Sequence, residues 1–145
     1  MKRTGSAVWH GVLSDGNGTT STQSGTLNET PYSFKSRFED ESGRSGTNPE
    51  ELIAAAHASC FTMQLAHMLG EAGHPADTLE TSSEVSVEQQ GEGFAITTSK
   101  LTLRGTVPGI SAEEFNRIAN EAKAGCPVSK ALSGIDITLD ATLNG

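Results

Sequence analysis

The chain has 145 residues, of which 34% are hydrophobic, and carries a formal net charge of −8 at pH 7. This length fits one domain covering residues 1–145, and the negative charge disfavours nucleic acid and anionic membranes as partners. The low apolar share gives weak support to a homodimer that completes its core against a second copy.

The first 38 residues are predicted to form three β-strands joined by turns. Strands are expected at residues 7–13, 19–24 and 32–38, the last because apolar and polar residues alternate there. Residues 15–18 contain Asp-Gly and Asn-Gly, which tolerate positive φ and so predict a hairpin turn. The acidic, Gly- and Ser-containing residues 39–46 are typical of a solvated loop.

A long helix is predicted to follow, from Asn48 to about Ala72. Asn48 can serve as the N-cap, Pro49 suits the first helical position, and the acids at 50–51 favour the positive helix end. Residues 52–63 are apolar or small nearly all round. Such a pattern predicts a central helix that is buried on most sides.

The second half of the chain alternates strands and helices. Ser111 opens one helix with a capping box, and Cys126 stands at the start of another. The predicted elements are strands at 81–88 and 94–106 joined by a hairpin at 91–93, helices at 113–124 and from Pro127 to 134, and a strand at 135–143. The order βββ-α-ββ-αα-β indicates the α+β class.

The two cysteines, Cys60 and Cys126, are the residues most indicative of chemistry. Cys126 lies at a predicted helix N-terminus, where the helix dipole favours the thiolate. Cys60 follows Glu50 by ten residues, about 15 Å along the helix, so the dipole does not reach it. These positions favour Cys126 as the readier thiolate and make Cys60 reactive only beside an Arg or a His.

Histidines on the long helix leave two other sites open. His57 and His67 can share a face with Cys60, which permits a His/Cys metal site or a Cys60–His57 nucleophilic pair. Because no compact ligand cluster such as Cys-x-x-Cys is present, neither a metal nor a cofactor is expected.

A cytoplasmic location is expected. The N-terminus lacks the apolar segment of a signal peptide, and no stretch is expected to reach the apolar length of a membrane span. In the cytoplasm cysteines are normally reduced, so a disulfide there is more often catalytic than structural.

Several longer segments carry a family resemblance. They include Gly46-Thr-Asn-Pro-Glu-Glu-Leu-Ile, Ala55-Ala-His-Ala-Ser-Cys-Phe, Ala122-Lys-Ala-Gly-Cys-Pro-Val-Ser, Trp9-His-Gly, and residues 31–39, 69–73, 93–97 and 107–110. Together they resemble the osmotically inducible protein C (OsmC) family, and its OsmC branch more than its sister branch, the organic hydroperoxide resistance proteins. The resemblance covers nearly the whole chain.

The resemblance implies a thiol-dependent peroxidase that reduces organic hydroperoxides to alcohols in defence against oxidative and osmotic stress. It implies an intertwined homodimer in which β-sheets wrap around long central helices. Cys60 would be the peroxidatic cysteine and Cys126 its resolving partner, reversing the order that helix position favours. Arg37 would be the catalytic arginine that stabilises the Cys60 thiolate, with Arg44 the other nearby candidate, and Glu50 would be the catalytic glutamate that orients Arg37.

The implied mechanism forms a Cys60 sulfenic acid and then a Cys60–Cys126 disulfide, which an external dithiol such as a dihydrolipoyl group reduces. Phe38, Phe61 and Met63 are candidates for an apolar substrate pocket or for ordinary core.

The alternatives are a non-enzymatic stress-related dimer with a structural disulfide and a Cys60–His57 hydrolase.

Because Glu50 and Cys60 cannot easily touch one guanidinium from the same helix, we expect each peroxidase site to combine residues of both subunits.

Overall fold

The computed structural model describes residues 1–144 and has an α+β architecture with two three-stranded sheets. Its elements are β1 (Gly5–His10), β2 (Asn17–Thr22), β3 (Thr30–Tyr32), α1 (Phe34–Phe38), α2 (Pro49–Glu71), β4 (Thr78–Gln90), β5 (Gly93–Thr106), α3 (Ala112–Gly125), α4 (Pro127–Ala131) and β6 (Asp136–Leu143). Internal contacts divide the chain into an N-terminal unit, Met1–Leu52, and a C-terminal unit from Ile53 onward. The α+β class is confirmed, and the single domain stays a prediction.

In the N-terminal unit, β1, β2 and β3 form an antiparallel sheet in that order. The register of β1 and β2 runs from Gly5 opposite Thr22 to His10 opposite Asn17. This pairing confirms the predicted hairpin, because its turn lies between His10 and Asn17.

The strand predicted at residues 32–38 is wrong beyond its first residue, because α1 occupies most of that segment. The Ser33 hydroxyl accepts the Ser36 amide proton at 3.1 Å, and the Ser36 hydroxyl accepts the Ser33 amide proton at 2.8 Å. The rings of Phe34 and Phe38 meet with centroids 5.1 Å apart. Apolar residues four apart suit one helix face as well as an alternating strand, and the reciprocal cap decides for the helix.

The long helix α2 begins and ends close to the predicted positions. The Asn48 side-chain oxygen accepts the Glu51 amide proton at 2.8 Å, which confirms the N-cap. After Glu71 the chain turns at Gly73, whose φ of 85° is readily adopted only by glycine.

The prediction that α2 is buried on most sides is wrong for the described chain. The helix buries one stripe at four-residue spacing, consisting of His57, Phe61, Leu65 and Leu69, each 0% exposed. Met63 on another face is 76% exposed. A largely apolar composition therefore left the number of buried faces undetermined, since small residues fit a surface as well as a core.

The expectation that no segment reaches the length of a membrane span is also wrong for α2. Its 23 residues are long and apolar enough to cross a membrane, the one such helix among residues 1–144. A core helix of a soluble protein meets the same criterion, so this property is weak support for membrane insertion. Phe61, Leu65 and Leu69 of the buried stripe belong to the hydrophobic core of the C-terminal unit.

In the C-terminal unit, β4 and β5 form a long antiparallel hairpin, and β6 pairs with β5 in parallel. The predicted turn at residues 91–93 is confirmed, with Gly91 at a φ of 62°. Helix α3 begins after Ser111, whose hydroxyl accepts the Glu114 amide proton at 3.1 Å. Its predicted apolar face is buried in the core: Phe115, Ile118, Ala119 and Ala122.

Candidate active site

The fold of the C-terminal unit brings the two cysteines together. Cys60 projects from α2 and is half-buried, whereas Cys126 lies between α3 and α4 and is fully buried. Both are free thiols, and they lie close enough for each to shift the pKa of the other. Residues 66 positions apart in sequence are thereby placed for thiol–disulfide chemistry.

Cys126 is the more acidic of the two thiols in the single chain. Burial alone would raise its pKa, but hydrogen bonds outweigh burial and lower the pKa of Cys126. The donors are the Cys60 thiol, the amide and hydroxyl of Ser129, and the amide of Val128. These amides belong to the first turn of α4, which is why the N-terminal position favours a thiolate.

Cys60 shows the opposite shift. Burial raises the pKa of Cys60, and sharing a proton with Cys126 raises it further, against one lowering contact from the Val128 amide. In the single chain Cys126 is therefore the thiol that ionises more readily, and Cys60 is the less acidic of the two. A peroxidatic role for Cys60 requires an additional positive charge beside it.

Arg37 and Glu50 form a bidentate ion pair in the N-terminal unit. Arg37 Nη2 lies 2.7 Å from Glu50 Oε1, and Arg37 Nε lies 3.0 and 3.2 Å from the two carboxylate oxygens. The Glu50 side chain is 8% exposed, whereas that of Arg37 is 35% exposed. The guanidinium also lies 4.8 Å from the centre of the Phe38 ring. The carboxylate thus fixes a guanidinium that keeps access to further partners.

The loop at residues 39–46 is organised by Asp40 rather than by Arg44. The Asp40 carboxylate accepts the amide protons of Ser42, Arg44 and Ser45 at 2.8–3.0 Å. Hydrogen bonds from Ser42 and Ser45 lower the pKa of Asp40 well below its usual range. Residues 41–45 are exposed, which confirms a solvated connection.

His57 contacts serines. Its Nδ1 lies 2.6 Å from Ser99 Oγ and its Nε2 lies 2.7 Å from Ser129 Oγ. Because both ring nitrogens are occupied by serines, His57 is not placed as the base of a Cys60–His57 pair. Burial lowers the pKa of His57, so the ring is neutral near pH 7.

The other predicted site residues have ordinary surroundings. Phe61 is buried in the core, Met63 is exposed, and Phe38 packs against Phe34. His67 is exposed near the end of α2. Among residues 1–144, no group of three or more His, Cys, Asp or Glu side chains could hold a metal ion.

Reasoning from sequence missed the serines around His57. Ser99 and Ser129 lie 42 and 72 positions from His57, and isolated serines in a strand and a short helix carry no distinguishing pattern. Only the packing of β5 near α2 and the position of α4 place these two serines beside His57.

Residues 40–140 match the family described as OsmC-like protein. The chain is 51% identical over 143 residues to "Peroxiredoxin OsmC" of Escherichia coli, covering 99% of this chain and 97% of that protein. It is 36% identical over 104 residues to "Organic hydroperoxide resistance protein" of Xanthomonas axonopodis pv. citri, covering 67% and 68%. The crystal structure of the organic hydroperoxide resistance protein OhrB of Bacillus subtilis superposes with a TM-score of 0.71 at 28% identity, covering 96% and 98%.

Proposed function

The chain belongs to the OsmC-like protein family, and on that premise we propose how its thiols and its ion pair divide the chemistry. It is a thiol-dependent peroxidase, and organic hydroperoxides are its substrates. The observation that carries the assignment is the proximity of the free thiols of Cys60 and Cys126, each of which shifts the pKa of the other. In this assignment residues 1–145 act as one peroxidase domain.

The reaction proceeds in three balanced steps. The Cys60 thiolate attacks the distal oxygen of ROOH, the O–O bond breaks, and protonation releases the alcohol ROH and leaves a sulfenic acid. The Cys126 thiol then condenses with the sulfenic acid, giving a Cys60–Cys126 disulfide and water. An external dithiol such as a dihydrolipoyl group reduces the disulfide and is itself oxidised to a disulfide.

The first step requires a cation that lowers the pKa of Cys60. Arg37 is the proposed cation, and Glu50 is the residue that holds and orients it, as their bidentate contact supports. Glu50 and Cys60 lie on the same helix ten residues apart, about 15 Å along its axis. Arg37 and Glu50 of one subunit therefore serve the thiols of the other.

The exposed apolar surface supports a homodimer in which the long helices become central. Large hydrophobic side chains that are at least half exposed include Val8, Val12, Leu13, Met63 and Phe94. A second copy covering these residues and the outer face of α2 would remove apolar area from water. The low hydrophobic share of 34% is then explained by a core that two chains complete together.

The shared site is tested by mixing Cys60→Ser, which lacks the attacking thiol, with Arg37→Met, whose peroxide reaction is slowed, and allowing their subunits to exchange. A heterodimer with shared sites has one site that combines Cys60 of one chain with Arg37 of the other. Mixing should therefore restore hydroperoxide reduction. Activity that stays at the level of the separate variants, although mass spectrometry detects the heterodimer, would place each site within one subunit.

The peroxidase assignment is tested by anaerobic titration of the reduced protein with an organic hydroperoxide. Two thiols per chain should be lost with stoichiometric formation of the alcohol. A non-enzymatic dimer with a structural disulfide would release no alcohol. A Cys60-dependent hydrolase would cleave esters without needing Cys126.

A cytoplasmic location is proposed because a catalytic disulfide that must be reduced after each turnover requires a compartment that supplies dithiols. Fractionation of cells expressing the full chain should find the protein with the cytosolic thiols, and recovery in the membrane fraction would contradict this location.

A further inference from the structure

A chain of polar side chains runs through the C-terminal unit to Cys126. Ser83 Oγ lies 2.8 Å from Ser99 Oγ, which lies 2.6 Å from His57 Nδ1. His57 Nε2 lies 2.7 Å from Ser129 Oγ, and Ser129 follows Cys126 by three residues in the first turn of α4, where its hydroxyl contributes to lowering the pKa of Cys126. His57 and Ser99 are 0% exposed and Ser129 is 6% exposed. Peroxidase chemistry at the two thiols leaves this buried connection unexplained.

The proton positions in this chain follow from what each group can donate. When Cys126 is ionised, its sulfur only accepts, so the Ser129 hydroxyl then donates its single proton to sulfur. The Ser129 oxygen then accepts from His57, which places the one N–H of the neutral ring on Nε2. His57 Nδ1 accordingly accepts from Ser99, and the Ser99 oxygen accepts from Ser83. All four donors point toward Cys126.

We propose that His57 is a positioning residue for Cys126, acting through Ser129 to hold the resolving cysteine as a thiolate. By donating from Nε2, His57 prevents the Ser129 hydroxyl from turning away and leaves its proton aimed at the Cys126 sulfur. The inference rests on the proposed role of Cys126 as resolving cysteine, and the pKa of its thiol can be measured without any peroxide.

The step that benefits is formation of the disulfide. The Cys126 thiolate attacks the sulfur of the Cys60 sulfenic acid, the S–S bond forms and the S–O bond breaks. The leaving hydroxide takes up the proton that Cys126 gave up, and water is formed. A larger thiolate fraction at Cys126 shortens the lifetime of the sulfenic acid, which limits its irreversible oxidation by more peroxide.

A purely structural role is the competing explanation, because His57 also ties α2 to β5 and α4. The two explanations differ in what happens to the Cys126 thiol. The titratable group in contact with Cys126 is Cys60 of α2, and His57 acts one hydroxyl away. Measuring every variant in a Cys60→Ser background removes Cys60 as a titrating group while leaving a hydroxyl near Cys126.

The first experiment compares Ser129→Ala with Ser83→Ala in that background. The pH dependence of Cys126 alkylation by iodoacetamide gives the thiol pKa. Ser129→Ala should raise this pKa by about one unit, which is about tenfold less thiolate below the pKa. Ser83→Ala, at the far end of the chain, should leave the profile unchanged. An unchanged profile for Ser129→Ala would overturn the proposal.

The second experiment separates the two ring nitrogens of His57. Glutamine can place its amide nitrogen where Nε2 stands, whereas asparagine reaches only the position of Nδ1. His57→Gln should keep the acidic Cys126, and His57→Asn should raise its pKa as Ser129→Ala does. Equal pKa values in the two folded variants would overturn the role of Nε2. If either fails to fold, the Ser129 and Ser83 pair still decides the proposal.

A third readout uses the protein with both cysteines. After one equivalent of hydroperoxide, Ser129→Ala should form the disulfide about tenfold more slowly while the sulfenic acid forms at its normal rate. If Ser129→Ala formed the sulfenic acid more slowly but then formed the disulfide at the normal rate, the assignment to Cys126 would be contradicted. Failure of both steps would instead count against the proposed peroxidase mechanism.

Discussion

The N-terminal unit and the C-terminal unit each bury a polar side chain of α2, and they compensate its burial differently. Glu50 is paired with a charged partner, the partly exposed Arg37. His57 is neutral and is paired with two hydroxyl groups that are themselves buried. One arrangement keeps a full positive charge near the surface, and the other contains no charge until it reaches Cys126.

This difference agrees with the proposed division of roles between the two arrangements. A buried carboxylate requires a cation because an unpaired buried charge is strongly destabilising, and the guanidinium that satisfies it has donors left for a second anion. Neutral hydroxyls and an imidazole satisfy one another within one chain. The ion pair is therefore suited to the proposed contact with a partner's thiolate, and the His57 chain to the proposed positioning of Cys126 in its own subunit.

The largest expected effect comes from removing the attacking thiol. Cys60→Ser should reduce hydroperoxide turnover by on the order of 10³-fold or more, because the nucleophile itself is lost. Cys126→Ser is the matched control and should still release one equivalent of alcohol per chain, with a sulfenic acid trapped at Cys60. Normal turnover by Cys60→Ser would show that the proposed mechanism is wrong.

Changes to the ion pair should have the next largest effect. Arg37→Met should slow the peroxide reaction of Cys60 about 10- to 100-fold, because an adjacent cation lowers a thiol pKa by one or more units. Arg37→Lys keeps the charge but not the bidentate contact. Its rate of peroxide reaction should therefore lie between the rates of the native protein and of Arg37→Met. Stopped-flow measurement of sulfenic acid formation across pH checks this order. A lysine variant slower than the methionine variant would contradict it.

His57 should make the stability of the protein sensitive to mild acid. Its pKa is lowered in the folded state from an ordinary value of 6.5, so the unfolded chain binds the proton more readily. The free energy of unfolding should therefore fall as the pH drops below 6.5, by up to about 1.4 kcal/mol per pH unit. His57→Gln should flatten this dependence in denaturant titrations between pH 7 and pH 5. An identical slope in both proteins would argue against a buried neutral His57.

The smallest expected effect concerns the loop beside the ion pair. Asp40→Asn should speed amide hydrogen exchange at Ser42, Arg44 and Ser45, because a carboxylate that accepts three amide protons is lost. In the native protein the same protection should disappear as the pH falls below 3.8, the ordinary pKa, toward the lowered folded value. Glu41→Gln is the matched control. Equal exchange in Asp40→Asn and Glu41→Gln would show that Asp40 does not order the loop.

Much of the fold was predictable because its signals are local. Asn48 and Ser111 accept the amide protons that their cap positions predict, and the apolar face of α3 is buried as its spacing requires. The segment after Tyr32 was not predictable from alternation, since Phe34 and Phe38 fit both periods. The cap between Ser33 and Ser36 is equally local, and it is the signal that distinguishes the helical period from the strand period in this segment.

The candidate site was predictable only in part. The identities of Cys60, Cys126, Arg37 and Glu50 came from segments long enough to resemble a family. The relative acidity of the two thiols could not be predicted from these segments, because the pKa of each thiol depends on burial and on donors from other elements. Which faces of α2 are buried was likewise not predictable, since composition gives the number of apolar residues and not their positions in the packed structure.

The sequence by itself determined the positions of most helices and strands, the family and the two thiols, because caps, periodicity and long motifs act over a few neighbouring residues. Only the tertiary structure decided that His57 serves Ser99 and Ser129 rather than Cys60, and that Cys126 is the more acidic thiol of the single chain. Hydrogen bonds and desolvation depend on distances across the fold, and these distances arise when residues far apart in sequence pack together.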